Sequence, residues 1–585
     1  MISQQYKNNE LNSIDHTSED FAYNIFKTLD ILKLKRVGSF FNSIKRCGFD
    51  VSGILMALVL MPFYKVSTIA SLIKNDFEGS YTNSCGKDVY YDLKNNFKVN
   101  WRSLLWLVAL RYKKTSALLS GHNEKTKLRA FIADDSLLPK TGEKTEFISR
   151  VHDHVSGNFI FGYKLLVLGY WDGDGFYPLD FSLHREKGSQ VHKAQEKLKR
   201  AQKRQVAKKK DLKKEGLKYQ EISTVLKKTK KGNKGTTSKI ITNKIAAIEN
   251  KLAKAKKKVK AASRLLAQEG NQIAMLKAEL KIAKAKYPDY GLSEKKRKNQ
   301  YSKNRPAGSP GAKRAIEVDI KKTDSLNAML KRAIKRGFTA DYVLTDSWFC
   351  NISLVKTVLA LGKKTKLHLI SMVKMGTIRY QLVSNGRYYN AMELLIMYER
   401  KSVNARSHNS KYIKIPVKYD GIRVNLFLIK MGRSAKWKIL LTTDLGLNFQ
   451  KLMDAYQLRW AIEVFFRECK QYLGLGHSRS TCFDSQVADT TISLVQYTIL
   501  SFHRRICCQN TFDGIFETVT NDIAEYNLAQ KLQKIFWIIV ETMGNFTGID
   551  VMELIEDIFR DTNASEKLKR LNIIIPKEKI YDHAA

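Results

Sequence analysis

The first part of the chain has hydrophobic residues at helical spacing. Apolar positions three and four residues apart run through 21–34, 51–61 and 103–112, and this period is typical of helices with one buried face. The pattern therefore predicts a helical N-terminal region over residues 1–126.

After residue 126 the pattern changes to short aromatic and β-branched runs. These runs cover residues 129–133, 159–170 and 176–183, and an Asp-Gly-Asp-Gly turn joins the last two. Aromatic and β-branched runs that are bounded by turn residues favour strands. We assign residues 127–188 to the first part of an α/β core.

A second part of the core is predicted over residues 315–376. It contains a helix, a strand, a helix and a strand, in that order, at residues 325–337, 342–345, 352–361 and 367–373. Three strands followed by helix, strand, helix and strand is the order of a ribonuclease H-like sheet. The predicted fold class is therefore α/β, with a ribonuclease H-like mixed sheet as its core.

The segment between the two core parts, residues 189–314, has a different composition. Residues 189–286 hold 30 Lys and Arg against 7 Asp and Glu, a net charge of +23. Apolar residues keep heptad spacing from Ile241 to Ala283, interrupted only at Glu269, and a Gly-Asn-Lys-Gly sequence separates this stretch from an earlier helix-favouring one. These features predict a basic antiparallel coiled-coil hairpin. An inert coiled coil usually mixes charge signs, so the excess of lysine favours a role in binding rather than a merely solvated face.

The rest of the chain divides into three further regions. A β-rich insertion is predicted over residues 377–447, a helix over 448–473 within a core segment that ends at 484, and a helical C-terminal region over 485–585. The candidate strands of the insertion lie at residues 412–419, 422–429 and 437–441.

Composition narrows the class of partner. The 585 residues contain 102 Lys and Arg against 56 Asp and Glu, a net charge of +46, which points to a polyanion, and to nucleic acid before a membrane. The first 25 residues lack a secretory pattern and the longest uncharged runs are too short to span a bilayer, so we expect a cytoplasmic, nucleoid-associated protein. The seven cysteines form no Cys-x-x-Cys pair, which argues against a disulfide frame or a zinc site.

Four polar residues share one side of the predicted helix 448–473. Tyr456, Arg459, Glu463 and Lys470 lie at offsets of 0, 3, 7 and 14, which places them in one stripe about 60° wide. A carboxylate flanked by two cations and a phenol can bind a metal ion while its neighbours bind phosphate oxygens. By geometry alone, an amphipathic helix with ordinary charge pairs would give the same stripe.

Two aspartates outside this helix extend the candidate site. Asp135 and Asp346 each follow a predicted strand, and neighbouring parallel strands bring such groups together at one edge of a sheet. With Glu463 they would form a three-carboxylate cluster, the hard-oxygen environment that suits Mg²⁺ or Mn²⁺.

With these residues the sequence resembles the DDE transposases of bacterial insertion sequences, in the IS-four-type group with the signature Tyr-x-x-Arg-x-x-x-Glu-x-x-x-x-x-x-Lys. Tyr456, Arg459, Glu463 and Lys470 match it at every spacing. The blocks FIADDSLLPKTG and ADYVLTDSWF look like the first and second aspartate regions of the family, so the resemblance covers roughly 128–188 and 315–480.

The first aspartate is assigned to Asp135, because the family residue is commonly followed by a small hydroxyl residue, here Ser136, and Asp134 is the alternative. The sequence departs from the family pattern in the 210 residues between Asp135 and Asp346, a span lengthened by the basic hairpin. The resemblance says nothing about the role of that hairpin.

The resemblance implies a cut-and-paste transposase. Asp135, Asp346 and Glu463 would hold two Mg²⁺ ions, with Mn²⁺ possible in their place, while Tyr456, Arg459 and Lys470 would contact DNA. The enzyme would bind terminal inverted repeats through its helical N-terminal region, cleave by metal-dependent hydrolysis, and join 3′-OH ends to target DNA. A synaptic homodimer on double-stranded DNA is expected, with the C-terminal helices as a possible contact.

Two other functions stay open at this point. A metal-dependent nuclease of the same fold would cleave DNA without transferring strands, and a catalytically silent DNA-binding protein would use only the basic surface. The terminal repeat, the target preference, a hairpin intermediate and the base-stacking residues are not specified by the sequence. Trp437 in the β-rich insertion is a candidate for base stacking by location only, and its position favours a core tryptophan over a stacking one.

Overall fold

A computed structural model describes residues 21–44, 48–74, 85–119, 127–153, 156–186, 189–232, 239–286, 289–432, 436–506 and 511–547. The part of the predicted C-terminal region beyond residue 547 lies outside these ranges. In the described residues no helix is long and apolar enough to cross a membrane.

The N-terminal region is helical. Its helices are α1 (Phe21–Ile31), α2 (Leu34–Ser39), α3 (Val51–Leu60), α4 (Ile69–Lys74), α5 (Lys87–Asn95) and α6 (Trp101–Leu119). The predicted helix over 21–34 ends early because Lys33 adopts a left-handed conformation, with φ of 53°. All ten residues of α3 are buried, so this helix is part of the hydrophobic core.

The first strands of the core follow directly. They are β1 (Ala130–Pro139), β2 (Ser149–His152), β3 (Phe159–Trp171) and β4 (Phe176–His184). Strand β1 pairs with β3 in antiparallel register along its whole length, from Ala130 opposite Trp171 to Pro139 opposite Gly162. It therefore continues for several residues past Asp134 and Asp135, where the sequence pattern predicted its end.

Two long helices, α7 (Ser189–Gly232) and α8 (Lys239–Lys286), occupy the predicted basic segment. The ion pairs between the helices link successively later residues of α7 to successively earlier residues of α8. They join Lys197 to Glu279, Arg204 to Glu269 and Lys230 to Glu249. The helices are therefore antiparallel. The heptad positions of α8 face α7, and among them Ala255, Glu269 and Ile273 are buried. We call α7 and α8 the basic arm.

The chain then returns to the core and enters the insertion. The elements are α9 (Glu294–Lys298), α10 (Pro310–Glu317), α11 (Lys322–Lys335), β5 (Tyr342–Thr345), α12 (Ile352–Thr365), β6 (His368–Val373), β7 (Arg379–Leu382), β8 (Tyr388–Asn390), α13 (Ala391–Tyr398), β9 (Val403–Ala405), β10 (Ser410–Tyr419), β11 (Ile422–Met431) and β12 (Trp437–Thr442). The last helices are α14 (Phe449–Gln457), α15 (Trp460–Tyr472), α16 (Phe483–Ile506) and α17 (Phe512–Thr547).

In the residues that the structure describes, twelve strands form one mixed sheet. Its main order is β2-β3-β1-β5-β6-β12-β11-β10-β7-β8, with β4 paired to β3 and β9 to β10. The central strands β1, β5 and β6 are parallel, and β12 extends the sheet antiparallel to β6. This mixed α/β arrangement is consistent with a ribonuclease H-like DDE domain. Helix α16 lies almost entirely in the core, which joins the C-terminal helices to the sheet.

Candidate active site

The candidate site lies where β1 and β5 stop pairing. Their parallel register places Ala130 beside Tyr342 and Ala133 beside Thr345. Continuing it by one residue brings Asp134 beside Asp346, and residues paired in a parallel sheet project to the same face. Asp135 is one residue further along β1, so its side chain projects to the opposite face.

Asp134 lies beside a cation and another carboxyl group. Its Oδ2 accepts a hydrogen bond from Arg459 Nη1 at 3.2 Å. Burial, and then the negative charge of Asp346, raise the pKa of Asp134 to about 7, against the lowering effect of Arg459. The Asp134 carboxyl group is therefore protonated more readily than that of an exposed aspartate.

Asp346 is held by the backbone of the turn that follows β5. Its Oδ1 accepts a hydrogen bond from the Trp348 N–H at 2.9 Å. Burial raises the pKa of Asp346 and Asp135 adds to this effect, while the Trp348 N–H and Arg459 oppose it. Asp135 thus acts electrostatically on Asp346, although its side chain projects to the opposite face of β1.

The helix predicted over 448–473 is divided into α14 and α15. At the junction the N–H groups of Leu458, Arg459, Ala461 and Ile462 bond to carbonyls three residues earlier, which tightens this turn to 3₁₀ geometry. Tyr456 therefore lies at the end of one helix and Glu463 in the first turn of the next. The stripe predicted on a single helix is instead distributed over two helices and their junction.

Despite this break, three of the signature side chains bond to β1 or β5, and the fourth, Glu463, bonds to one of those three. Tyr456 donates from its hydroxyl to the Thr345 carbonyl at 3.4 Å, and burial raises its pKa. Arg459 donates to Glu463 Oε1 as well as to Asp134. Lys470 donates from Nζ to Ser136 Oγ at 2.7 Å, and burial and the nearby Lys164 lower its pKa.

Asp135 has a different partner from the rest of the site. Its Oδ2 accepts from Lys322 Nζ at 3.0 Å, at the start of α11. Asp134 and Ser136 share the face that meets α14 and α15, and they contact Arg459 and Lys470 respectively. The structure therefore brings Asp134, rather than Asp135, into contact with the signature residues.

The carboxylates are not gathered into a closed ligand cluster. Within the described ranges, no group of three His, Cys, Asp or Glu side chains could hold a metal ion together. Arg459 lies between Asp134 and Glu463 and donates to both, so a guanidinium occupies the position between these two carboxylates. The donor set itself suits a hard divalent cation, because it consists of carboxylate oxygens.

Three side chains near the site were missed in the sequence. Trp348 is 55 % exposed, and Lys322 and Lys374 place their ammonium groups 5.1 Å and 4.9 Å from the centre of its indole ring. Its position two residues after Asp346 could have drawn attention to Trp348. No local pattern links Lys322 or Lys374 to the site, since both arrive from other elements of the fold.

The exposed charges of the basic arm are nearly all positive. Five of its seven acidic residues pair with cations of the arm itself, namely Glu196, Glu215, Glu249, Glu269 and Glu279. Residues 251–260 contain six lysines, all exposed. The buried Glu269 pairs with both Arg204 and Lys208, so this interruption of the heptad seam is neutralised by α7.

A family model matches part of the chain. No curated protein matches the chain. Residues 290–499 match the family described as Transposase DDE domain. The matched segment contains β5, the insertion, α14 and α15, with Asp346 and all four signature residues, and it begins after β1 and the basic arm. The match supports a DDE transposase, an enzyme of DNA transposition that acts on DNA.

Proposed function

We propose that the chain is a cut-and-paste transposase with the catalytic carboxylates Asp134, Asp346 and Glu463. The observation that carries this assignment is the double contact of Arg459, which bonds to Asp134 on β1 and to Glu463 on α15. It supports a common site for residues more than 300 positions apart. The same contact favours Asp134 over Asp135 as the first carboxylate, since Asp135 is paired with Lys322.

These carboxylates would hold divalent cations, two Mg²⁺ ions or Mn²⁺ in their place. When bound, such ions activate water and stabilise the leaving oxygen of a phosphodiester. The chain's own part is to supply carboxylate oxygens on a rigid sheet edge and on an adjoining helix. Arg459, now shared by two carboxylates, would be free to turn toward a DNA phosphate once another cation compensates them.

The reaction needs no covalent enzyme intermediate. In the first step a water oxygen attacks the phosphorus at the element end, the bond to the 3′ oxygen breaks, and a 3′-OH is released. In the joining step that 3′-OH attacks a target phosphodiester, and a target 3′ oxygen leaves. A hairpin step, in which the 3′-OH attacks the opposite strand first, is part of the proposal for the element end.

Tyr456, Arg459 and Lys470 would hold the DNA backbone beside the cut. They can donate hydrogen bonds and, for Arg459 and Lys470, compensate phosphate charge. Burial, and then the nearby Lys164, lower the pKa of Lys470, and a phosphate would favour the charged form of Lys470. Terminal inverted repeats, a synaptic homodimer and action at the nucleoid complete the proposed setting.

The basic arm would bind duplex DNA outside the catalytic site. Its helices have 44 and 48 residues, so the arm extends roughly 65–70 Å at 1.5 Å per residue. This length matches about two turns of duplex DNA at ~34 Å per turn. Its acidic groups are largely paired within the arm, which leaves the exposed lysines to meet phosphates.

A strand-transfer assay tests the proposed function. The purified chain, Mg²⁺, an element end and a supercoiled target plasmid should give joined products as well as nicked ends. Nicked ends without joined products would indicate a nuclease, and binding without cleavage would indicate a silent DNA-binding protein. An Asp346→Asn variant serves as the control for contaminating nucleases.

A further inference from the structure

Trp348 is placed unusually for a tryptophan. Its indole is 55 % exposed, although large aromatic side chains are usually mostly buried. Its backbone N–H bonds to the carboxylate of Asp346, so the backbone from which the indole projects is held beside the candidate catalytic group. Trp437, the tryptophan singled out in the sequence, instead packs partly buried against the core from β12.

Two lysines from separate elements converge on this exposed ring. Lys322 begins α11 and Lys374 follows β6, and both ammonium groups lie about 5 Å from the ring centre. Lys322 also bonds to Asp135, which ties it to β1. Trp460 is also more than half exposed, yet in the described residues no cation is found over its ring. The pair of ammonium groups therefore distinguishes Trp348.

An exposed aromatic face with two ammonium groups matches the chemistry of one nucleotide. A base can stack on the indole irrespective of its identity, because every base has a π face. The phosphate of the same nucleotide can take the ammonium groups, since lysine side chains are long and flexible enough to move from the ring edge to an anion. A paired base inside a duplex could not reach the ring, so the ligand must be unpaired.

We propose that Trp348, Lys322 and Lys374 form a platform that binds an unpaired nucleotide beside the cleaved phosphodiester. This inference rests on the proposed function for its location next to the cut, and it adds a binding site to that function. Trp348 acts here as a positioning residue, because it would hold the strand and take no part in bond breaking. The platform would act in steps where the end is distorted, such as hairpin formation.

Binding measurements without divalent cations test the platform separately from catalysis. The probes are a short fluorescent duplex of arbitrary sequence with one unpaired thymine and the same duplex fully paired. The full-length chain should bind the first probe more tightly. Trp348→Ala should remove that preference, a loss of about tenfold for a lost stacking contact, and Trp348→Phe should keep most of it. Tyr388→Ala removes an equally exposed aromatic, 58 % exposed, at the far end of the sheet and should leave the preference intact.

The lysines give a second, independent measurement. Lys322→Ala combined with Lys374→Ala should weaken binding of both probes and reduce its salt dependence, while an aromatic preference for the unpaired probe persists. Quenching of tryptophan fluorescence by the unpaired probe should disappear in Trp348→Phe. Unchanged preference and unchanged quenching in the Trp348 variants would overturn the platform.

The platform and the proposed function can fail separately. If Trp348→Ala forms hairpins and joins strands at the wild-type rate and keeps the binding preference, the platform is wrong and the transposase assignment stands. If the wild-type chain neither cleaves nor joins DNA but shows a Trp348-dependent preference, the platform stands as a nucleotide-binding site and the proposed function is wrong.

Discussion

Arg459 donates to Asp134 Oδ2 at 3.2 Å, across the gap between the α14–α15 junction and strand β1. The same guanidinium bonds to Glu463, so one cation links a strand residue to a helix residue far along the chain. Three carboxylates near one point repel one another unless a cation compensates them. In the structure Arg459 supplies part of that compensation by bonding to two of the three proposed ligands.

The first prediction separates the two neighbouring aspartates of β1. Asp134→Asn, Asp346→Asn and Glu463→Gln should each abolish Mg²⁺-dependent cleavage while end binding is kept or strengthened, because metal ligands are lost and repulsion of phosphate falls. Asp135→Asn should retain cleavage, since it removes only the partner of Lys322. The measurement is the rate of nicking on a labelled end. Loss of nicking in Asp135→Asn with near-normal nicking in Asp134→Asn would return the assignment to Asp135.

The second prediction concerns pH and the pKa of Asp134. That pKa is about 7 in the folded chain and about 4 in an unfolded one. Because the folded value is raised, the stabilisation from proton binding is fully present below about pH 4 and is lost as the pH rises through about 7. Asp134→Asn has no such loss. The free energy of unfolding of the variant, relative to wild type, should therefore rise between about pH 5 and pH 8.5, by at most ~3 kcal/mol.

Urea unfolding at the two pH values, without divalent cations, measures this difference. Added Mg²⁺ should stabilise the wild-type chain more at the higher pH, where the carboxylate is ionised and can bind it. The variant should gain less from Mg²⁺. Parallel pH profiles for the two proteins would contradict a raised pKa at Asp134.

The third prediction concerns the basic arm. Replacing residues 190–286 with a short Gly-Ser linker should lower nonspecific DNA affinity and flatten its salt dependence. Each lost phosphate contact reduces the slope of log K against log salt by about 0.9, so a loss of about five contacts would be clear. The linker can close because the arm returns on itself, with Lys197 bonded to Glu279 at 3.1 Å.

A milder variant keeps the arm folded. Glutamine in place of the six exposed lysines removes charge and preserves helix propensity, at Lys251, Lys254, Lys256, Lys257, Lys258 and Lys260. It should lower the slope less than the deletion does. An unchanged slope in both variants would show that the arm does not bind DNA.

Much of the fold follows from patterns that have one physical solution. The heptad spacing from Ile241 to Ala283 leaves one face of α8 to be buried, and in the structure α7 covers it. In the strands of the insertion the apolar residues alternate with polar ones or form short runs, and these strands lie near their expected positions. The turn chemistry between β3 and β4 also predicts the observed hairpin.

The choice between Asp134 and Asp135 could not be made in the same way. Both faces of β1 are buried from Ala130 to Ala133. The sequence therefore shows no alternation of apolar and polar residues that would indicate on which face of the strand each following side chain lies. Only the register of β1 with β5 determines which aspartate shares a face with Asp346. The 3₁₀ turn at Leu458 could not be predicted from the sequence either, because the apolar residues keep helical spacing on both sides of it.

The last prediction separates DNA holding from chemistry among the signature residues. Glu463 is the only one of the four that can bind Mg²⁺, whereas Tyr456, Arg459 and Lys470 can donate to or pack against DNA. Arg459→Ala and Lys470→Ala should weaken end complexes by roughly tenfold to a hundredfold, since charge-assisted contacts are worth ~1.5–3 kcal/mol. Tyr456→Phe should be milder because only one hydroxyl is lost.

The variants should also differ in which step they impair. Arg459→Ala and Lys470→Ala should allow some initial nicking and reduce hairpin formation and strand transfer, where the strand must be held while distorted. Nicking, hairpin and joined products are compared on pre-cut and uncut ends for all variants, with Glu463→Gln as the inactive reference. Arg459→Ala has an added effect, because it leaves Asp134 and Glu463 without their shared partner and should increase their demand for Mg²⁺. If Lys470→Ala binds ends normally but is as inactive in the first nick as Glu463→Gln, Lys470 acts in the catalytic step and its assignment to DNA holding is wrong.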